Sequence, residues 1–322
     1  MSTTGRDKSG GMIDLATTGD TFCHEALFYE GDRGFVDATV PFIRGGVEAG
    51  EPVLVVVSEE KIDRLRAELH GDADRVRFAD MARVGRNPAT IIPAWREFVD
   101  GNAVEGRRMR GIGEPIWAGR TPDELVECHL HESLLNLAFS GSPMWLACPY
   151  DVLALGPAVI EEARRTHPVV SAPTGRSRSD WYTGIPTSGL DSPLPEPQGE
   201  VCTLLFGDGS LAAARAEVTE QARLAGIGAD RATELVVAVN EVATNSIRYG
   251  GGMGTLRMWR DEREFICEVR DRGRIQNLLA GRAQPGQSEH GGYGLWLVNH
   301  MCDLVQVRSF GDEGVVRLHM NL

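Results

Sequence analysis

The apolar positions in the first half of the chain alternate between short β-branched runs and stretches with helical spacing. The runs that favour strands are residues 52–58, 76–78 and 144–148, and residues 107–117 favour a strand that runs into a loop. The stretches that favour helices are residues 34–49, 59–69, 87 onward, 121–139 and 153–166. Strands that alternate with helices predict a parallel sheet covered by helices, because parallel strands need crossover connections.

The second half of the chain has a different pattern. Two helices are predicted early, and period-2 alternation then favours several strands around one more helix. The predicted helices are 210–225, 228–248 and 295–301, and the predicted strands are 201–206, 254–260, 264–271, 304–310 and 315–320. Antiparallel strands on one face and helices on the other predict an α/β two-layer sandwich.

A segment rich in proline, serine and glycine separates the two halves, which is typical of a partly extended linker. We therefore predict four parts, each with its own character. They are a flexible tail at 1–20, a first domain at 21–167, a linker at 168–199 and a second domain at 200–322.

Composition limits the classes of function. The 322 residues carry a net charge of −13, which argues against a surface for nucleic acid or for anionic membranes. The first 20 residues contain no apolar core of a secretory signal. The six cysteines form no CxxC pair, which fits reduced thiols better than a disulfide framework. We therefore expect a cytoplasmic protein that uses neither a membrane nor nucleic acid.

The helix predicted at 228–248 carries a pair of residues suited to phosphate chemistry. Glu241 and Asn245 are four residues apart, so they lie on one face of the helix. The amide oxygen of Asn245 can bind Mg²⁺ whose other ligands are phosphate oxygens and water. The carboxylate of Glu241 can act as a catalytic base that accepts a proton from an attacking hydroxyl.

Two later segments complete a candidate site for ATP. Asp271 ends a predicted strand and can accept from the adenine amine, while Gly273 lets the backbone approach the base. A glycine loop that opens a helix can then present N–H groups to phosphates. Its candidate residues are Gly291, Gly292, Gly294 and Leu295. The chain contains no GxxxxGK[ST] motif, so a P-loop is not the alternative.

Residues 200–322 resemble the GHKL ATPase superfamily, which has the Bergerat fold, and within it the bacterial anti-sigma-factor serine kinases. The resemblance rests on NEVATNSIRYGG, VRDRG and GGYGLWLVNHMCD. It implies that Glu241 is the base, Asn245 the Mg²⁺ ligand and Asp271 the adenine-binding acid. The family often has Gly-Thr before its last strand, whereas Gly314 is followed here by Val315 and Val316.

Residues 20–170 resemble the MEDS sensory domain, which occurs in regulators of methanogens, methylotrophs and actinobacteria. The resemblance rests on HEALFYEGDRGFVDATVPFIRGGVEAGEPVLVVVS, MRGIGEPIW, ECHLHESLLN and CPYD. It implies a RecA- and KaiC-like sheet without a P-loop, and a role in sensing a ligand that the sequence does not identify.

Together the two resemblances imply a transcription regulator whose sensory domain controls an ATP·Mg²⁺-dependent serine kinase. Its partners would be a sigma factor, an anti-anti-sigma (STAS) protein or both, and we leave open whether it forms a homodimer. The alternative is a non-catalytic switch that uses ATP only to sequester a partner. A histidine kinase would need a phosphoacceptor helix, and His131-Glu132 lies inside the sensor-like domain instead.

Other side chains in the first domain have competing interpretations. Cys128, His129, His131 and Cys148 suggest a metal, but they lack a close ligand pair of known spacing, which favours burial of the two cysteines as small apolar residues. The arginines Arg107, Arg108 and Arg110 either hold an anion or form a solvated face. His24, Tyr29 and Glu30 precede the first helix, where open α/β sheets bind ligands. The aromatic residues Trp117, Trp145 and Tyr150 line a pocket or fill the core.

Overall fold

The computed structural model describes residues 21–184, 190–283 and 292–322, which form two α/β domains. The described helices are α1 (Gly31–Glu48), α2 (Glu59–Leu69), α3 (Met81–Val84), α4 (Ile91–Gly101), α5 (Pro122–Ala138), α6 (Pro157–Thr166), α7 (Leu211–Ala225), α8 (Ala229–Tyr249) and α9 (Tyr293–Met301). The described strands are β1 (Cys23–Tyr29), β2 (Val53–Val57), β3 (Val76–Asp80), β4 (Met109–Gly113), β5 (Met144–Asp151), β6 (Val169–Ala172), β7 (Gly175–Arg178), β8 (Cys202–Gly207), β9 (Met253–Arg260), β10 (Glu264–Asp271), β11 (Leu304–Phe310) and β12 (Glu313–Asn321).

The first domain is built on a mostly parallel sheet, as its alternation of strands and helices predicts. Among the described residues the strand order is β3-β2-β4-β5-β1-β6-β7, and only β7 pairs antiparallel to its neighbour. Every residue of β2 is buried, which is the burial expected of a strand with helices on both faces. The start of α5 is also as predicted, because Thr121 and Glu124 form a capping box around Pro122.

The hydrophobic pattern does not predict the central strand β1. Its residues His24 and Glu25 are polar, yet both are buried between β5 and β6. A strand with polar residues lacks the apolar run by which a buried strand is predicted. Its polar residues can be buried because elements distant in sequence supply partners for them. The polar residues of β1 therefore have a specific role inside this domain.

The linker predicted at 168–199 differs from the structure in its first part. Strand β6 pairs in parallel with β1, and β7 folds back on β6 through a turn in which Gly175 has φ +130°. The proline at 173 therefore lies in a hairpin turn, where it interrupts no ladder hydrogen bond. The connection to the second domain begins after β7.

The second domain is the predicted two-layer sandwich. Its described strands are antiparallel in the order β11-β12-β10-β9-β8, and α7, α8 and α9 cover one face. Val218, Val239 and Val298 come from the three helices and share a core with Cys267 and Leu318 of the sheet.

The other face of this sheet carries buried polar side chains. Glu268 is fully buried and accepts hydrogen bonds from Arg257, Arg270 and Arg317. Glu196, from the connecting segment, pairs with Arg257 and Arg270 at 2.7 Å each. This face is therefore covered by other parts of the chain.

Within the described residues, no helix has both the length and the apolar character that crossing a membrane requires.

Candidate functional site

A cleft of about 570 Å³ opens in the second domain between α8, the ends of β10 and β12, and the start of α9. This size is typical of sites for small ligands. The described residues that line it are Val242, Asn245, Tyr249, Gly250, Asp271, Gly273, Arg274, Ile275, Asn277, Leu279, Ala280, Gly281, Ala283, Gly292, Gly294, Leu295, Gly314 and Val316.

One wall of the cleft is the half-buried face of α8. The opposite face of this helix buries Leu235, Val239 and Ser246 in the core, which fixes the rotation of the helix. Asn245 therefore points into the cleft. Glu241 lies one turn earlier on the same half-buried face, although it is not among the described lining residues.

Gly294 faces this pair from the first turn of α9. A Cβ at position 294 would lie 3.2 Å from Glu241 Oε2 and 3.3 Å from Asn245 Nδ2. Contacts this short would force the two polar side chains to move. The glycine therefore leaves space in front of the carboxylate and the amide, where a ligand group or a metal ion fits.

Asp271 ends β10 and sits among three glycines from different elements. Added Cβ atoms at Gly250, Gly273 and Gly314 would lie 2.6, 2.9 and 3.0 Å from its carboxylate oxygens. The backbone N–H of Gly273 donates to Asp271 Oδ1 at 2.6 Å. This bond fixes the carboxylate, and no side chain or turn N–H of the described residues donates to Oδ2, which can accept a hydrogen bond from a ligand in the cleft.

The structure brings the predicted site residues together. Asn245, Asp271, Gly273, Gly292, Gly294 and Leu295 all line the same cleft, with Glu241 beside Gly294. Gly292 caps α9 with φ +94°, a backbone conformation that strongly favours glycine. Gly291 lies outside the described residues.

An adenine nucleotide with a divalent cation fits this set of groups. The fixed carboxylate of Asp271 suits the adenine amine, and the glycines around it let a flat base approach the backbone. The start of α9 suits phosphates, because N–H groups at a helix N-terminus attract anions. Asn245 offers an amide oxygen that can bind Mg²⁺.

Sequence patterns do not identify the remaining wall of the cleft. Residues 279–283 form turns without hydrophobic periodicity, so nothing in the sequence marks them as part of a site. On the opposite side of the cleft, a Cβ added at Gly250 would lie 2.6 Å from Asp271 Oδ2, so the glycine leaves room for this carboxylate.

The first domain holds this wall through a buried acid. Glu127 of α5 is fully buried and accepts from Arg282 at 3.1 Å, and its other oxygen lies 2.6 Å from Arg308 Nη2. Burial lowers the pKa of Arg282, and the charge of Glu127 opposes that shift. Arg282 follows Gly281, so an ion pair between the domains lies next to the cleft.

A chain of amide contacts reaches the same wall. Asn87 of the first domain donates to the backbone carbonyl of Asn299 at 2.9 Å, and Asn299 donates to the carbonyl of Gly281 at 2.8 Å. All of these groups are buried. The cleft is therefore tied to the first domain at two points.

Two of the three arginines that suggest an anion site in the first domain have other partners. Arg110 pairs with Glu51 and donates to the Phe42 carbonyl, while Arg107 donates to the Gly50 carbonyl. Arg108 lies over the Trp145 ring, and its buried Nε has no hydrogen-bond partner among the described residues.

The comparisons with known proteins assign the two domains. Residues 23–168 match the model of MEDS, the MEthanogen/methylotroph, DcmR Sensory domain. Residues 208–320 match the model of the histidine kinase-like ATPase domain. Among curated proteins the comparison finds no match. Together with the cleft, the two matches confirm the fusion that the sequence predicts: the chain joins a MEDS sensory domain to a histidine kinase-like ATPase domain, the architecture of a regulatory ATP-binding protein.

Proposed function

We propose that this protein is an anti-sigma-factor-like serine kinase under the control of its MEDS domain. It would bind a sigma factor, phosphorylate a serine of an anti-anti-sigma (STAS) partner, or both. The observation that carries the proposal is the cleft that joins Asn245, Asp271 and the start of α9, with Glu241 at its edge. This arrangement supports roles for Glu241 as the catalytic base, Asn245 as the metal ligand and Asp271 as the adenine acceptor.

The residues have separate roles in this proposal. Asp271 would orient the adenine ring through Oδ2, since Oδ1 accepts the hydrogen bond from the Gly273 N–H. Asn245 would hold Mg²⁺, and Glu241 would accept the proton of the attacking serine hydroxyl. ATP·Mg²⁺ bound in the cleft would supply the phosphoryl group, and the metal would neutralise the charge that develops on it.

Control by the MEDS domain is supported by the contacts of the cleft wall. Glu127 and Asn87 belong to the first domain, and they hold Arg282 and, through Asn299, Gly281. A ligand that shifts α5 would change these contacts and so the shape of the cleft. Such coupling needs a difference in binding energy between two states, which a buried ion pair can provide.

A second candidate is a switch that binds ATP and transfers nothing. The observation in its favour is that Glu241 is not among the described lining residues of the cleft. In addition, Val316 lines the cleft in the segment where the kinase family often has a threonine. In this case ATP would only change affinity for a protein partner.

Phosphoryl transfer can be measured with labelled ATP and candidate anti-anti-sigma proteins. We expect label on a partner serine, and we expect Glu241→Ala and Asn245→Ala each to remove it. Glu234→Ala is the matched control, since Glu234 lies on the same helix and pairs at the surface with Arg231. Tight ATP binding without label on any partner would favour the switch.

Gly294→Ala tests the space in front of the paired side chains. The added methyl group would lie 3.2 Å from Glu241 Oε2, so we expect ATP·Mg²⁺ affinity to fall about tenfold, or ~1.4 kcal/mol. Fold stability should not fall, because alanine favours a helix over glycine by up to about 1 kcal/mol. Calorimetric titration and thermal unfolding measure the two effects.

Gly156→Ala serves as the control for this substitution. Gly156 precedes α6, and a Cβ there would meet no described atom within 4 Å. Unchanged ATP affinity in Gly294→Ala would argue against a ligand between α8 and α9.

A further inference from the structure

Four side chains with metal-binding atoms meet inside the MEDS domain, far along the chain from the ATP cleft. They are His24 of β1, Glu132 of α5, Cys148 of β5 and His167, which follows α6. All four are buried, and one ligand atom of each lies within 4.8 Å of every other. Two imidazoles, a carboxylate and a thiol form a donor set typical of transition-metal sites.

The spacing of these atoms matches one coordination shell. Glu132 Oε2 lies 3.0 Å from His24 Nε2 and 3.3 Å from His167 Nε2. Cys148 Sγ lies 3.4 Å from both His24 Nε2 and Glu132 Oε2. Zinc bonds of about 2.0–2.3 Å in a tetrahedron separate the ligand atoms by about 3.3–3.8 Å. The cluster thus needs only small adjustments to surround one ion.

The outer nitrogens of both imidazoles are held by acceptors. His24 Nδ1 lies 3.1 Å from Asn136 Oδ1, and Asn136 Nδ2 donates to the Thr166 carbonyl, which fixes the amide. His167 Nδ1 lies 2.8 Å from the Ala163 carbonyl. Each Nδ1 is therefore placed to donate a hydrogen bond, and each Nε2 faces the cluster. Metal-binding histidines are commonly oriented by such second contacts.

Buried polar atoms without partners supply an independent observation. His167 Nε2 and Glu132 Oε1 are both buried, and neither has a hydrogen-bond partner among the described residues. A buried polar atom without a partner is destabilising, so such atoms call for an explanation. An ion among the four side chains would give His167 Nε2 the partner that it lacks.

We propose that His24, Glu132, Cys148 and His167 bind one divalent transition-metal ion, with Zn²⁺ as the best chemical match. A thiolate and two imidazoles disfavour Mg²⁺ and Ca²⁺, which prefer oxygen ligands. Four protein ligands in a buried site are typical of closed, structural centres. Glu132 also lies on α5, the helix whose Glu127 contacts the ATPase domain. The ion would thus fix the helix that connects the two domains.

The test uses the full chain. Any bound metal is first removed with a chelator, and the protein is then titrated with Zn²⁺ or Co²⁺. We expect about one ion per chain, by mass spectrometry of the metal content, and a thiolate-to-cobalt charge-transfer band in the near ultraviolet. Cys148→Ser should remove this band. His167→Ala should weaken Zn²⁺ binding by more than the ~10–100-fold expected for Asn136→Ala, which removes only an orienting contact.

Cys128→Ser is the matched control, because Cys128 is a buried cysteine of the same domain outside the cluster. It should keep both the stoichiometry and the cobalt band. If the folded wild-type chain binds neither ion, or if Cys148→Ser keeps the band, the proposal is overturned, and the cluster is a hydrogen-bonded His–Glu network. The wild-type cobalt spectrum decides the question even if a variant does not fold.

Discussion

Asp271→Asn is expected to weaken ATP binding by about 10–100-fold. Hydrogen bonds to charged groups contribute about 1.5–3 kcal/mol, and 1.4 kcal/mol corresponds to a factor of ten. The geometry adds a second reason. The Gly273 N–H donates to one side-chain oxygen at 2.6 Å, so an asparagine would keep its carbonyl oxygen there. Its NH₂ group would then face the adenine amine, donor against donor.

The same substitution should change which base is preferred. Guanine carries an acceptor where adenine carries the amine, so the asparagine NH₂ can donate to it. We therefore expect the ratio of ATP to GTP affinity to fall further than ATP affinity alone would indicate. Competition titration with both nucleotides measures this ratio.

Asp261→Asn is the control for this experiment. Asp261 precedes β10, at the end opposite Asp271, and accepts the backbone N–H groups of Arg263 and Glu264. It should leave both affinities unchanged. If Asp271→Asn binds ATP as the wild type does, adenine does not bind at this carboxylate.

Glu127→Gln should have the largest effect on how the two domains are held together. Glu127 is 0% exposed, and its partners Arg282 and Arg308 are 6% and 2% exposed. Removing its charge leaves two buried guanidinium groups without a counter-ion. Breaking a buried ion pair in this way costs about 3–5 kcal/mol. We expect that loss in the free energy of unfolding or of domain docking, measured by urea denaturation.

Glu127→Gln should also affect nucleotide binding. Arg282 lies between Gly281 and Ala283 of the cleft wall, so ATP affinity should change in the same variant. Glu97→Gln is the control. The side chains of Glu97 and its partner Arg77 are 73% and 60% exposed, and such surface pairs contribute about 0–1 kcal/mol to the free energy of unfolding. Wild-type stability and ATP affinity in Glu127→Gln would show that the two domains are not coupled through this contact.

The ATP site was the part most accessible from the sequence, because its residues follow local rules. Glu241 and Asn245 share a face by helical spacing, and Asp271 and Gly292 mark a strand end and a helix start. Such positions are set by the geometry of single elements. Local rules do not determine which of these side chains face one another, because that depends on how the elements pack.

The contacts between domains were not accessible in this way. Glu127 and Arg308 look like ordinary charged surface residues in a helix and a strand, yet both are buried. Glu127 is buried because it pairs with Arg282 and Arg308, which lie 155 and 181 residues further along the chain. A local sequence pattern cannot predict contacts over such separations.

The sequence by itself predicted the two α/β domains, their order, and that Asn245, Asp271 and the glycines near them would share a cleft, because these follow from periodicity, caps and glycine positions, whereas the cleft wall at 279–283 has no such pattern. The tertiary structure alone decided that β1 lies inside the first sheet between β5 and β6, and that His24, Glu132, Cys148 and His167 meet. It also decided that Glu127 joins the first domain to the cleft wall. Charges and metal ligands gain their partners only when distant elements pack together.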